Sequence, residues 1–337
     1  MQDNDRVPVW LDCDPGLDDT FAIIFAGVDK RINLIGISTS PGNTSLANTT
    51  QNALDVLYNI GRSDVEVVAG SNQLIKGEMK LAEHMHGSNG LGGVKLPTSP
   101  NKAKTDDNFS RIYNKIKQHE GQIVWCNTGS LTNLSILMLS HPDIKSKISR
   151  IVMMGGAVEK GNITPAAEFN IFFDPHAFEE VLRMKGEIPL VMIPLEVTHQ
   201  NMALQPVFDH LKAKEHIPFS KALHTMLSHF QQMYKNHYGI EFPPIHDPLT
   251  IFYLLYPQEI EVKKAQIVVD TYPTSFGRTN VYFNNPINPK DPIKSNDLVA
   301  TNLLCKEVKF WDLMLRLLDH VFSDMVQKNI VDHSPQQ

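Results

Sequence analysis

The sequence predicts an α/β fold, an open and mostly parallel sheet flanked by helices, and three observations carry that expectation. Short apolar runs alternate with helical patterns along most of the chain. The runs end at Gly, Pro, Asn or Asp, residues that stop a strand for steric or hydrogen-bonding reasons. Hydrophobic residues make up 42% of the 337 and charged residues 20%, the balance of a packed core rather than of a disordered chain.

Buried strands are expected at Val7–Cys13, Ile32–Ser40, Val65–Ala69, Gln122–Asn127, Ile151–Met154 and Leu190–Ile193. A helix follows the first strand over about Asp18–Ala26. Phe109, Ile112 and Ile116 recur at helical spacing, as do Leu223, Met226, Leu227, Phe230 and Met233. Trp311, Met314, Leu315, Leu318, Phe322 and Met325 repeat the pattern near the end. Such alternation implies βαβ units with right-handed crossovers. Two stretches fall outside it. Gly70–Pro100, with His84, His86 and several glycines, is a loop long enough to be functional or disordered. Tyr272–Asn296, rich in Pro and Asn, reads as a surface excursion with strands on either side. No composition shift marks a linker, so residues 1–337 are expected to form a single domain, with 1–6 and 332–337 frayed.

Charge narrows the function. With 31 basic and 37 acidic side chains the net charge is −6, which gives no electrostatic reason to bind nucleic acid or an anionic membrane. No apolar run approaches the ~18 residues a spanning helix needs, and the start lacks the basic and apolar regions of a signal peptide. Three scattered cysteines form neither a disulfide framework nor a zinc knuckle. A reduced, soluble, cytoplasmic protein is expected.

The informative segment is Asp12-Cys13-Asp14-Pro15-Gly16-Leu17-Asp18-Asp19, at the carboxyl end of the first strand, where open α/β sheets bind ligands. Four carboxylates within these eight residues repel one another unless a cation lies between them. Helix capping accounts for Asp18 or Asp19 but not for Asp12 and Asp14 as well. The spacing excludes an EF-hand, and all-oxygen donors favour Ca²⁺ or Mg²⁺ over zinc.

Further polar clusters follow later elements. Gly42-Asn43 follows the second strand, and Thr128-Gly129 follows Trp125-Cys126-Asn127, placing a Thr128 carbonyl toward the same crevice. Asn162 and Glu168-Phe169-Asn170 bring two amides and a carboxylate suited to sugar hydroxyls. His246-Asp247-Pro248 opens a helix and pairs a proton donor with another metal ligand. Each alone is an ordinary turn signal; recurrence after successive strands raises them above that. His84-Met85-His86 has no third ligand at zinc spacing, so His86 reads as a group closing over a ligand. Met154 belongs to a core strand yet is placed to reach the site.

At these residues the sequence resembles the inosine–uridine-preferring nucleoside hydrolase family, and within it uridine nucleosidases of the fungal type. The likeness runs from Val7 to about Leu255, through the acidic turn, Gly42-Asn43, Thr128-Gly129-Ser130-Leu131-Thr132-Asn133, Met154-Gly155-Gly156, Ala167-Glu168-Phe169-Asn170 and His246-Asp247-Pro248 in the family's order. The resemblance implies a Rossmann-like nucleoside hydrolase fold and hydrolysis of the N-glycosidic bond of a ribonucleoside, uridine or inosine, to ribose and base for nucleoside salvage. It implies Ca²⁺ held by Asp14, Asp19, Asp247 and the Thr128 carbonyl, with Asp14 taking the proton of the attacking water. It implies that Asp18 and Asn170 hold the secondary hydroxyls, that Asn162 and Glu168 hold the 5′-hydroxyl, that Asn43 orients the water or the metal shell, and that Phe169 contacts base or ribose. His246 and His86 match the leaving-group acids, and having both points toward uridine. A homodimer or homotetramer is implied. Ser130 stands where proline is frequent and Thr250 where a small apolar residue is common, departures that touch specificity more than activity.

Two other classes are weighed against this one. A haloacid dehalogenase-type phosphatase also carries Asp-x-Asp after its first strand, but Pro15-Gly16 and a second Asp pair intervene here and no later Gly-Asp motif follows. A calcium-dependent sugar-binding protein needs the cage without the base and acid that Asp14 and His246 supply.

Overall fold

A computed structural model describes residues 6–285, 288–290 and 292–332. Of the expected frayed ends, only Arg6 and Asp332 are described; the rest lie outside the described residues. The first half comprises β1 (Val7–Cys13), α1 (Leu17–Val28), β2 (Ile32–Thr39), α2 (Leu46–Asn59), β3 (Val67–Ala69), α3 (Glu83–His86), α4 (Asn108–Gln118), β4 (Ile123–Asn127), α5 (Thr132–Ser140) and β5 (Ile148–Met154). Then come α6 (Phe169–Phe173), α7 (Pro175–Met184), β6 (Leu190–Ile193), α8 (Leu195–Thr198), α9 (Gln205–Lys212), α10 (Pro218–Tyr238) and α11 (Pro248–Leu255). The chain closes with β7 (Ile260–Lys264), β8 (Gln266–Val269), β9 (Thr279–Tyr282), β10 (Leu298–Leu303) and α12 (Lys306–Asp332). Among the described residues no helix is long and apolar enough to cross a membrane.

The eight-stranded sheet runs β3-β2-β1-β4-β5-β6-β10-β7, and β8 pairs with β9 separately. Every neighbour in the large sheet is parallel except β10 and β7. The order reverses at β1, which pairs with β2 on one side and β4 on the other. Loops leaving β1 and β4 therefore diverge and open a crevice beyond their carboxyl ends.

Strand parity decides which side each residue serves. Val9, Leu11 and Cys13 pack into the core shared with α1, α2 and α10 to α12. Trp10 faces the opposite core, where its ring stacks on Trp125 at 6.3 Å. Asp12 has the parity of Trp10. Its carboxylate accepts from the Ser38 hydroxyl beside it on β2 and from Asn133 Nδ2 on α5 at 2.8 Å. The expectation that Asp12 joins the carboxylates around a cation is corrected by this direction. Burial raises its carboxyl to about 7.

The expected strands and helices appear with small shifts in their ends, and β5 starts three residues earlier than the apolar run Ile151–Met154. Strands β8 and β10 flank the Tyr272–Asn296 stretch, as expected, whereas the edge strand β7 was not expected. Sequence IEVKK at the sheet edge and LVATNL beside it lack the continuous apolar run that marks a strand covered on both faces. The second strand of the β8–β9 hairpin lies inside the Tyr272–Asn296 stretch.

Candidate active site

The floor of the cleft begins where β1 ends. Pro15 and Gly16 turn the chain into α1, and Asp19 reaches back to accept from Gly16 N–H at 3.1 Å, satisfying a donor at the start of the helix. Asp19 thus caps its helix as well as facing the cleft; its other oxygen accepts from Thr128 Oγ1 at 2.8 Å. Asn43, after β2, donates Nδ2 to Asp19 at 2.9 Å and its backbone N–H to Asp14 Oδ2 at 2.8 Å. A Cβ on Gly42 would overlap that Asp14 carboxylate, so only glycine admits the approach. Asp247, just before α11, brings its carboxyl to the same place: ligand atoms of Asp18, Asp19 and Asp247 lie within 4.8 Å of one another.

These carboxyls are buried and no Lys or Arg lines the cleft. Burial first, then mutual repulsion, pushes Asp14 and Asp247 well above the usual carboxylate range and Asp18 up to about 7. Asp19 is raised by burial. Asp14 Oδ1 is buried without a hydrogen-bond partner. Such a donor set, all oxygen, crowded and uncompensated, fits a hard divalent cation, which removes the repulsion. Asp18, expected on the ribose hydroxyls, sits with Asp19 and Asp247 as a further candidate ligand.

A second wall comes from the segment after β5. Glu168 caps α6, accepting from Asn170 N–H at 2.8 Å and Ile171 N–H at 3.2 Å, and also from Gly156 N–H at 2.9 Å. Burial raises its carboxyl to about 7. Asn162 accepts from Phe169 N–H at 2.9 Å. Asn170 Nδ2 bridges two strand ends, donating to the Thr128 carbonyl at 2.9 Å and the Met154 carbonyl at 3.3 Å.

The third wall is histidine-bearing. His86 Nδ1 accepts the N–H of Leu17, a helix-terminal donor with no partner inside α1, at 3.2 Å. A Cβ on Gly16 would strike that ring. The bond leaves Nε2–H as the donor of a neutral imidazole, and burial lowers its pKa to about 3. His246 Nδ1 lies 2.7 Å from Thr198 Oγ1 and Nε2 lies 2.7 Å from the Tyr234 hydroxyl, so each ring nitrogen has one hydroxyl partner. Burial, then His199 and His86, hold His246 well below its ordinary pKa.

Eleven of the expected residues line one cleft: Asp18, Asn43, His86, Thr128, Met154, Asn162, Glu168, Phe169, Asn170, His246 and Asp247. Asp14 and Asp19 lie beside it, bonded to Asn43 and Thr128. Neither Thr198 nor Tyr234 was among the expected site residues. Both are ordinary core-facing residues of helices, and no local signal ties them to His246. Of the two departures from the family pattern, Ser130 meets Thr132 Oγ1 at 3.0 Å and Thr250 donates to the Asp247 carbonyl at 2.7 Å.

Residues 9–311 match the family described as Inosine-uridine preferring nucleoside hydrolase. The pyrimidine-specific ribonucleoside hydrolase RihA of Shewanella sp. (strain MR-4) is 36% identical over 265 residues, 78% of this chain and 82% of that one. A probable ribonucleoside hydrolase of Dictyostelium discoideum is 31% identical over 98% of this chain and 100% of its own. The solved purine-preferring ribonucleoside hydrolase from Gardnerella vaginalis superposes with a TM-score of 0.83 at 27% identity, covering 94% of this chain and 99% of that one.

Proposed function

The chain belongs to the inosine-uridine preferring nucleoside hydrolase family and is an N-glycosyl hydrolase; from that premise we propose that it hydrolyses uridine and inosine to ribose and free base with the help of Ca²⁺. The observation that carries this reading is the meeting, in one cleft, of a crowded carboxylate cluster and buried, neutral histidines. It acts as one domain, in a homodimer or homotetramer, in cytoplasmic salvage of pyrimidine and purine nucleosides.

Asp14, Asp19, Asp247 and the Thr128 carbonyl hold the ion, with Asp18 beside them. When bound, it lowers the pKa of a water and fixes ribose hydroxyls. The chain's own groups do the rest. Asn43 fixes one Asp14 oxygen and so leaves Oδ1 as the atom that receives the proton of the attacking water. The floor's negative charge stabilises the positive charge that develops on ribose as the glycosidic bond opens. Asp18 and Asn170 hold the secondary hydroxyls; Asn162 and Glu168 hold the 5′-hydroxyl. Phe169 and Met154 supply apolar contact. On the far side the departing base takes a hydrogen bond from His86 Nε2–H and a proton from the Tyr234 hydroxyl, which His246 Nε2–H replaces in turn, with Thr198 steadying Nδ1.

Reducing-sugar release from uridine, cytidine, inosine and adenosine, with and without a strong chelator, tests this. Ribose release from uridine and inosine, lost on chelation and restored by Ca²⁺ more than by Mg²⁺, is expected. A folded protein that releases no ribose overturns the reading, and release that withstands complete chelation overturns the metal.

A further inference from the structure

The loop between β5 and α6 carries the residues assigned to the 5′-end of the ribose, so whatever fixes that loop fixes the 5′-pocket. On its inner side Glu168 accepts from Gly156 N–H at 2.9 Å. On its outer side stands Glu196, a half-buried residue of α8 outside the cleft lining. One carboxylate oxygen of Glu196 accepts from Glu159 N–H at 2.8 Å, Val158 N–H at 3.1 Å and Lys160 N–H at 3.4 Å. The other accepts from Val158 N–H at 3.1 Å. Three successive amides wrapped around one carboxylate form an anion-binding nest, here filled by the protein's own side chain. Two residues before the nest, the Gly156 carbonyl accepts from Leu195 N–H at 3.1 Å, so α8 meets the loop through backbone as well. Two residues after it comes Asn162.

We propose that Glu196 is a positioning residue for recognition of the ribose 5′-hydroxyl: by gathering the amides of Val158, Glu159 and Lys160 it sets where Asn162 and Glu168 meet that hydroxyl. The inference rests on the ribonucleoside hydrolase reading and on the 5′-roles given to those two residues. Charged acceptors make stronger hydrogen bonds than neutral ones, and a loop fixed by three of them holds its geometry when substrate arrives. The same helix carries Thr198, which holds His246, so α8 anchors both the 5′-end and the leaving-group end of the cleft. The loop keeps other anchors if Glu196 is lost: Ala157 N–H donates to Thr279 Oγ1 at 3.0 Å, and Ala167 bridges to Arg278. These contacts keep the loop attached to the fold without Glu196.

The test compares kcat/KM for uridine and 5′-deoxyuridine in the wild-type chain, Glu196→Ala and Glu196→Gln. Wild type prefers uridine, and Glu196→Ala loses about tenfold of that preference, the scale of one charge-assisted hydrogen bond. Glu196→Gln, which keeps one acceptor oxygen for Glu159 N–H, falls between them and carries the test if the alanine variant is unstable. An unchanged preference in both variants overturns the proposal. So does an equal loss on both substrates, which is what general loosening gives. A wild-type chain that cleaves neither nucleoside refutes the hydrolase reading itself, whereas a wild-type chain that discriminates and variants that discriminate equally refute only the role of Glu196.

Discussion

The carboxylate floor and the histidine wall line the same cleft, yet they are built in opposite ways. Three of the floor's four carboxyls come from one turn, Asp14 to Asp19, and only Asp247 arrives from afar. The wall is assembled from His86 on α3, Thr198 on α8, Tyr234 on α10 and His246 before α11. The floor is dense in like charge and has no cationic side chain against it. The wall is neutral, and both ring nitrogens of His246 have a hydroxyl partner. On the proposed mechanism the floor handles charge and the wall places neutral hydrogen-bond donors.

The comparison breaks most sharply at Asp14. Asp14→Asn should lower kcat for uridine by roughly 10³-fold, within the range for removing a general base, while circular dichroism shows a folded chain. Activity near wild type would remove the floor from the mechanism. His246→Ala should slow uridine or inosine about 10²-fold and p-nitrophenyl riboside far less, because that leaving group departs without help. Equal losses on both would take the wall out of leaving-group chemistry. Tyr234→Phe removes the hydroxyl and keeps the ring, and about a tenfold loss on nucleosides follows from one hydrogen bond. A Tyr234→Phe enzyme with unchanged rates would show that His246 acts without it.

The smallest effect sharpens the wall's neutrality. His86 has a folded pKa of about 3 against an ordinary 6.5. The unfolded chain therefore binds this proton first as pH falls, so the stability associated with a neutral His86 is complete above pH 6.5 and is lost progressively as pH falls toward 3. Chemical denaturation of wild type and His86→Gln between pH 7.5 and 4.5 should show a shallower decline in the variant. An NMR titration placing His86 near 6.5 would contradict its burial against the start of α1.

Much of the fold was legible because its signals are local. Strand β1, the acidic turn and α1 appear within a few residues of their expected places, since alternation, Pro15-Gly16 and helical spacing act on neighbours in the chain. The edge of the sheet was less legible. Strands β7 and β10 are recognised by their pairing with each other and with β6, and pairing is not written in either segment alone.

The sequence by itself determined the parallel architecture, the crowding of Asp14, Asp18 and Asp19 at a strand's carboxyl end, and the polar clusters after β2, β4 and β5. Tertiary structure decided how those groups are used. It turned Asp12 away to Ser38 and Asn133, placed Asp18 with Asp19 and Asp247, joined Tyr234 and Thr198 to His246, and set Glu196 behind the loop that carries Asn162. The physical reason is that most buried polar groups take a partner, and the partner is whichever group the packing of distant helices and strands brings within about 3 Å.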